Sequence, residues 1–174
     1  MAISLYDLSV ANYLQTLGGV EGFLAKGLTH FQGTKTDPNT VLDERLHADM
    51  LPFKFQVWAT AHHSLGAIKG VKEGVFGPPS AIPATMDYAG LQKAVTEARE
   101  ALQKVKADEV DAVQGKDVTF QLPTMKIPFT AEGFLLSFSL PNFYFHATTA
   151  YDILRTNGVP LGKRDFLGRM RIKN

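Results

Sequence analysis

The sequence predicts an all-α protein: a four-helix bundle with a short helix after the first long one and a small β-hairpin before the last. Three observations carry that expectation. Four long segments repeat apolar residues every three or four positions, glycine and proline mark the connectors between them, and the composition suits one packed core. The chain has 174 residues, 45% of them apolar, with 18 Lys+Arg against 17 Asp+Glu and a formal charge of +1. That length and balance fit a single domain over residues 1–174 and exclude a disordered chain. The absence of Cys excludes a disulfide scaffold, Cys-ligated zinc, an iron–sulfur cluster and a thiol nucleophile. Near-neutral charge argues against a nucleic-acid or anionic-membrane partner. No basic stretch followed by an apolar run opens the chain, and no run of about 18 apolar residues could span a bilayer, so a cytoplasmic protein is expected.

The first helix is expected over 5–31, with Leu14, Leu17, Leu24, Leu28 and Phe31 on one face and Ser4 with Asp7 as a capping pair. Gly18, Gly19 and Gly22 interrupt it, each costing about 1 kcal/mol relative to Ala, which points to a bend or a close approach by a neighbouring helix. Asp37-Pro38 provides an N-cap and first residue for a short helix through Leu42 and Leu46. The second long helix, about 52–70, carries Phe53, Val57, Ala61 and Ile68 and stops at Gly70. The stretch from Gly74 to Pro83 reads as a connector. The third helix, 86–106, has the clearest single stripe, from Tyr88 through Leu91, Val95 and Ala98 to Leu102 and Val105. Runs at 118–122 and 125–129 suit a hairpin, with Pro128 confining its strand to an edge. The fourth helix, about 131–157, is capped by Thr130, apolar on nearly every side and kinked by Pro141 near Ser137. Such a helix is central in a bundle or forms part of a homodimer surface. The tail, with Lys163, Arg164, Arg169, Arg171 and Lys173 against Asp165, reads as a solvated basic end.

The candidate site lies on the fourth helix. Ser139, Asn142, His146 and Thr149 are spaced three, four and three, so they share one face. Turned inward, that face would need partners, because unpaired buried polar groups are costly. Gln56, Ala59, His63 and Ala67 give the second helix a facing stripe, and His62 lies about 100° round the axis from His63, so only one of the two would face a shared site. Asn142, His146, Thr149, Ser139 and Gln56 are therefore the candidate ligand-binding residues, with His63 and His146 as candidate ligands for zinc or nickel. No two His stand at i and i+4 on one helix. His47 could reach the end of the bundle, and His30 is assigned no function. There is no GxGxxG, Walker loop, GxSxG or HExxH, and the carboxylate pairs Asp43-Glu44 and Glu109 with Asp111 read as solvated.

Ser4-Leu5-Tyr6-Asp7-Leu8-Ser9-Val10 with Tyr13-Leu14-Gln15, the segment from Arg45-Leu46 to Asp49-Met50 with Pro52 and Gln56, and the blocks 141–146, 148–151, 158–163 and 165–168 together resemble a DUF family of bacteria and fungi. That family is placed within the DinB/YfiT-like metalloenzyme superfamily, and the likeness runs through nearly the whole chain. The resemblance implies a four-helix bundle with an unusual crossover order and frequent dimers. It also implies a divalent metal held by one His of the second helix and an HxxxH pair of the last. By that motif His63 (or His62) matches the first ligand and His146 one of the pair, while Asn142 or Ala150 stands at the remaining position. The expected function is a DinB-like bundle protein that binds a small molecule or a weak divalent metal in its interior. The alternative is a non-catalytic homodimeric interaction protein.

Overall fold

The computed structural model describes residues 3–173. Helix α1 (Leu5–Leu8) starts at Ser4, whose hydroxyl accepts from the Asp7 N–H at 3.0 Å. The helix expected over 5–31 breaks at Ser9, whose hydroxyl donates to the Leu5 carbonyl at 2.6 Å, and resumes as α2 (Val10–Gly33). Such a local side-chain bond competes with the helical ladder. Asp37 caps a 3-10 turn (Pro38–Asp43), its carboxylate accepting from Asn39 N–H at 2.9 Å. The turn stops short of Leu46, which is exposed, because the Glu44 carbonyl instead accepts from Phe53 N–H at the head of the next helix.

The second long helix comprises α3 (Phe53–Ala61), a π turn (His62–Gly66) and α4 (Ala67–Glu73). It ends at Gly74, with φ of 77° in the left-handed region, and not at Gly70. Gly70 is needed for another reason: a β-carbon there would lie 3.0 Å from Phe76 Cβ and from the Val75 carbonyl oxygen. Those two residues form strand β1 (Val75–Phe76), which pairs in parallel with β2 (Asp117–Gln121). β2 pairs antiparallel with β3 (Lys126–Thr130), with Pro128 opposite Thr119 on the outer edge of the β1-β2-β3 sheet. The expected hairpin is therefore present, but the all-α class is corrected: the protein is helix-rich with a small three-stranded sheet. β1 is two residues long, too short for an alternating pattern, and only the burial of Phe76 against Phe120 and Phe134 makes it a strand.

Asp87 caps α5 (Tyr88–Gln103), accepting from Gly90 N–H at 2.7 Å, and the short α6 (Ala107–Asp111) follows. The last long helix comprises α7 (Ala131–Phe134), a second π turn (Leu135–Ser139) and α8 (Leu140–Thr156), with Thr130 as the N-cap. Pro141 has no N–H to close a regular turn on Ser137, and the widened π turn just before it absorbs that loss. The tail forms α9 (Lys163–Leu167). α2 and α3 each pack against both α5 and α8, so the long helices that follow one another between α2 and α3, and between α5 and α8, sit diagonally across the bundle. Buried apolar residues from all four long helices join in one cluster.

The glycines of α2 have distinct causes. A β-carbon at Gly19 would overlap the Phe166 carbonyl oxygen, and one at Gly27 would overlap the Tyr88 hydroxyl. The close approach at Gly19 thus comes from the tail and not from a long helix; the tail is further held by Gln15 Nε2 donating to the Leu167 carbonyl at 3.1 Å. Gly22 is exposed, and a β-carbon there meets nothing within 4 Å. Gly19→Ala is expected to lose about 1–3 kcal/mol by overpacking. Gly22→Ala should gain up to about 1 kcal/mol from helix propensity and reduced unfolded-state entropy. Urea denaturation of the two variants checks this, and effects of the same sign would contradict the docking of the tail on α2.

Candidate functional site

The two π turns face each other inside the bundle. In a π turn the wider ring loosens the regular ladder and gives backbone carbonyls room for other donors. The Ser139 hydroxyl, from the last helix, donates to the His63 carbonyl in the π turn of the second helix at 2.6 Å. The Tyr13 hydroxyl from α2 donates to Ser139 Oγ at 2.9 Å. Tyr13 and Ser139 are fully buried, and burial holds the Tyr13 phenol well above its ordinary range, so it stays a neutral donor. Two helices, α2 and the last, are thereby tied to the backbone that carries His63.

Of the adjacent histidines, His63 is the one that turns inward. It is 6% exposed, and its Nδ1 has no hydrogen-bond partner among the described residues. His62 is half-buried and directs Nε2 to the Gly77 carbonyl at 2.8 Å. The His63 and His146 rings stack with centroids 5.6 Å apart and an interplanar angle of 24°. His146 Nδ1 lies 2.8 Å from Gln56 Oε1, while Gln56 Nε2 donates to the Leu51 carbonyl at 2.7 Å. The second bond fixes the carboxamide: with its NH2 on Leu51, its oxygen must face His146, so His146 Nδ1 carries the proton and Nε2 keeps the lone pair. Phe138 borders His63, Phe55 and Phe145 border His146, and Phe76 packs against both His62 and His63.

This apolar setting keeps the imidazoles neutral. Burial, with His146 and His62 adding like charge, lowers the His63 pKa to about 3. Burial, with His62 second, lowers that of His146 to about 4. His62 is lowered too, by burial, partly offset by its bond to Gly77. At neutral pH the site therefore presents uncharged rings with one N–H and one lone pair each.

The other sequence-nominated residues are placed differently. Thr149 is buried, but its hydroxyl donates to the Phe145 carbonyl of its own helix at 2.7 Å. Asn142 is half-buried, and its amide nitrogen donates to the Phe138 carbonyl at 2.7 Å, again along its own helix. The structure thus brings Gln56, His63 and His146 together and ties Ser139 to the backbone of His63, while Asn142 and Thr149 bond locally. His47 is exposed beside Asp49, away from the cluster. The carboxylates have structural partners: Asp43 pairs with Lys54, Glu109 with Lys72, and Asp111 accepts from Tyr6 N–H. The aromatic wall supplied by Phe76 was hidden in a stretch read as connector, and its only sequence signal is a lone Phe between Gly74 and Gly77.

The metal set implied by the superfamily needs three imidazoles. His63 and His146 can supply two, with the lone pair of His146 Nε2 available. Asn142 uses its amide on Phe138, Ala150 has no donor atom, and His62 is turned to Gly77. No group of three His, Cys, Asp or Glu side chains that could hold a metal gathers among the described residues. A three-histidine metal centre does not fit this donor set.

A solved structure described as a DinB family member protein from Shewanella denitrificans is similar to this chain throughout. The TM-score is 0.82 at 27% sequence identity, covering 98% of this chain and 95% of that one. No curated protein matches the chain. The likeness in helix order agrees with the sequence pattern of a family described as a domain of unknown function, DUF1993, which matches residues 5–167, and the chain belongs to that family.

Proposed function

We propose that the cluster of His63, His146 and Gln56 binds a small uncharged molecule in the bundle interior. The observation that carries this reading is the enclosed His63 Nδ1, a polar atom without a partner 5.6 Å, ring to ring, from a second neutral imidazole. Leaving such an atom unsatisfied costs about 1–3 kcal/mol, and a ligand hydrogen bond would recover it. The lining favours a compact ligand with one donor and one acceptor, since a charged guest would lose its hydration among Phe55, Phe138 and Phe145. His146 is half-buried, less enclosed than His63. Ser139 acts through the backbone of His63, and Thr149 and Asn142 shape the same helix face. A weakly held zinc or nickel ion on His63 and His146 is the competing occupant.

Native mass spectrometry of untagged protein, with elemental analysis for zinc and nickel, tests this. The expected result is a small organic adduct, less than stoichiometric metal, and loss of the adduct in His146→Ala with the helical circular-dichroism signal intact. The same bound species at the same occupancy in His146→Ala would refute the site, and stoichiometric metal would replace the organic ligand with the ion.

A second reading is a homodimer through the last helix. It is favoured by Leu136, Tyr144 and Phe145, three large side chains that the last helix leaves exposed. Light scattering during size exclusion decides it, and a strict monomer at high concentration rules it out.

A further inference from the structure

The basic side chains of the tail, Lys163, Arg164, Arg169, Arg171 and Lys173, are exposed as expected, but the chain that carries them is docked. It folds back across α2, with Lys26 bonded to Asp165 at 2.5 Å and Arg171 Nη2 donating to Asn12 Oδ1 at 2.6 Å. Gly168, at φ of 59°, makes this path open only to a glycine, because a β-carbon there would lie 2.8 Å from the Gln15 carbonyl oxygen. The fold-back creates a cleft of about 400 Å³ between the tail, α2 and α5, lined by Gln15, Gly18, Glu21, Arg99, Arg169 and Arg171 among others. Three guanidinium groups from two distant parts of the chain thus border one cleft that holds a single carboxylate.

We propose that this cleft is a binding site for a small anion, a carboxylate or phosphate compound. It is distinct from the histidine cluster and independent of that reading. Arg99 uses only Nη1 internally, on Glu21 Oε2 at 2.9 Å. Its Nε is buried without a partner, and Nη2 has none among the described residues. Guanidinium edges of this kind bind carboxylate and phosphate oxygens, and here Nη2 is the end open to the cleft while Nε lies covered behind it. That edge lies beside Gly18: a β-carbon there would stand 3.5 Å from Nε and 3.8 Å from Nη2. These are ordinary contact distances, so packing does not demand glycine at this position as it does at Gly19. What glycine provides is a lower floor beside the unused edge. Arg169 also borders the cleft; it is exposed, and its guanidinium has no protein partner among the described residues. The volume lies within the range of small-molecule sites. The anion would rest on the Nη2 side of Arg99 and be closed over by Arg169 and Arg171, with Glu21 as the competing internal anion.

The test is titration of the isotope-labelled full chain with inorganic phosphate and, separately, with succinate, followed by amide shifts at constant ionic strength. Saturable shifts confined to residues around 14–21, 99 and 168–172 are expected. Phosphate alone, succinate alone or both then identifies the ligand chemistry. Arg169→Gln/Arg171→Gln should weaken binding at least about tenfold, the equivalent of one charge-assisted hydrogen bond. Glu21→Gln should strengthen it by freeing Arg99. Gly18→Ala should raise the melting temperature yet weaken binding, which separates the site from any loss of folding. The proposal is overturned if neither anion gives saturable shifts, if shifts spread over all basic surfaces, or if the double Arg variant binds as the parent does.

Discussion

Between pH 6.5 and pH 4.5 the protein should lose stability steeply, before its carboxylates titrate. His63 and His146 have pKa values near 3 and 4 when folded, against 6.5 for an ordinary histidine. Below pH 6.5 the unfolded chain takes up protons that the folded chain refuses. Stability is therefore complete above pH 6.5 and falls as the pH drops towards 4 and then 3. Each histidine contributes a slope of about 1.4 kcal/mol per pH unit within its window. Two such slopes acting together reach several kcal/mol, a large share of the roughly 5–15 kcal/mol typical of a domain. Glu109, Glu132 and Asp165 are held below their ordinary range by Lys72, by the Gly115 N–H and by Lys26 respectively, so their stabilising contribution is lost only at lower pH. Urea midpoints at pH 7, 6 and 5 measure the effect. His63→Leu, which removes the unpartnered nitrogen, should match or exceed the parent at pH 7 and flatten the acid slope. A parent midpoint unchanged from pH 7 to pH 5 would mean that the two rings are not sheltered.

Ser139→Ala should be among the most damaging single substitutions in the last helix. It strands the Tyr13 hydroxyl and removes the side-chain donor to the His63 carbonyl, both in a fully buried setting. Each unsatisfied group costs about 1–3 kcal/mol, so a loss of about 2–5 kcal/mol is expected. Tyr13→Phe removes a donor without stranding another and should cost about 1 kcal/mol. The double variant should lose less than the sum, because the stranded phenol is gone, and that negative coupling identifies the relay. Additive losses in chemical denaturation would show that Tyr13, Ser139 and His63 do not act as a unit.

The candidate site was partly legible because helical spacing is geometry. Ser139, His146 and Thr149 share one face whatever surrounds them, and Gln56 with His63 share another, so the two candidate stripes followed from periodicity, although their meeting did not. Two features were not legible. Asn142 is indistinguishable in sequence from an inward ligand, yet its amide closes on the Phe138 carbonyl one turn back, a local bond that competes with any site. The choice between His62 and His63 is made by the fold, which buries His63 and turns His62 to the Gly77 carbonyl in the segment after the helix.

The long helices, the caps at Ser4, Asp37 and Thr130, and the hairpin of β2 and β3 are written in the local sequence, because each rests on periodicity or on hydrogen bonds between residues only a few positions apart. Tertiary structure alone decided the strand at Val75–Phe76, the docking of the tail over Gly19, the diagonal placement of successive helices and the ring-on-ring meeting of His63 with His146. Those features join residues dozens of positions apart, and their energies come from burial and close contact that no local pattern encodes.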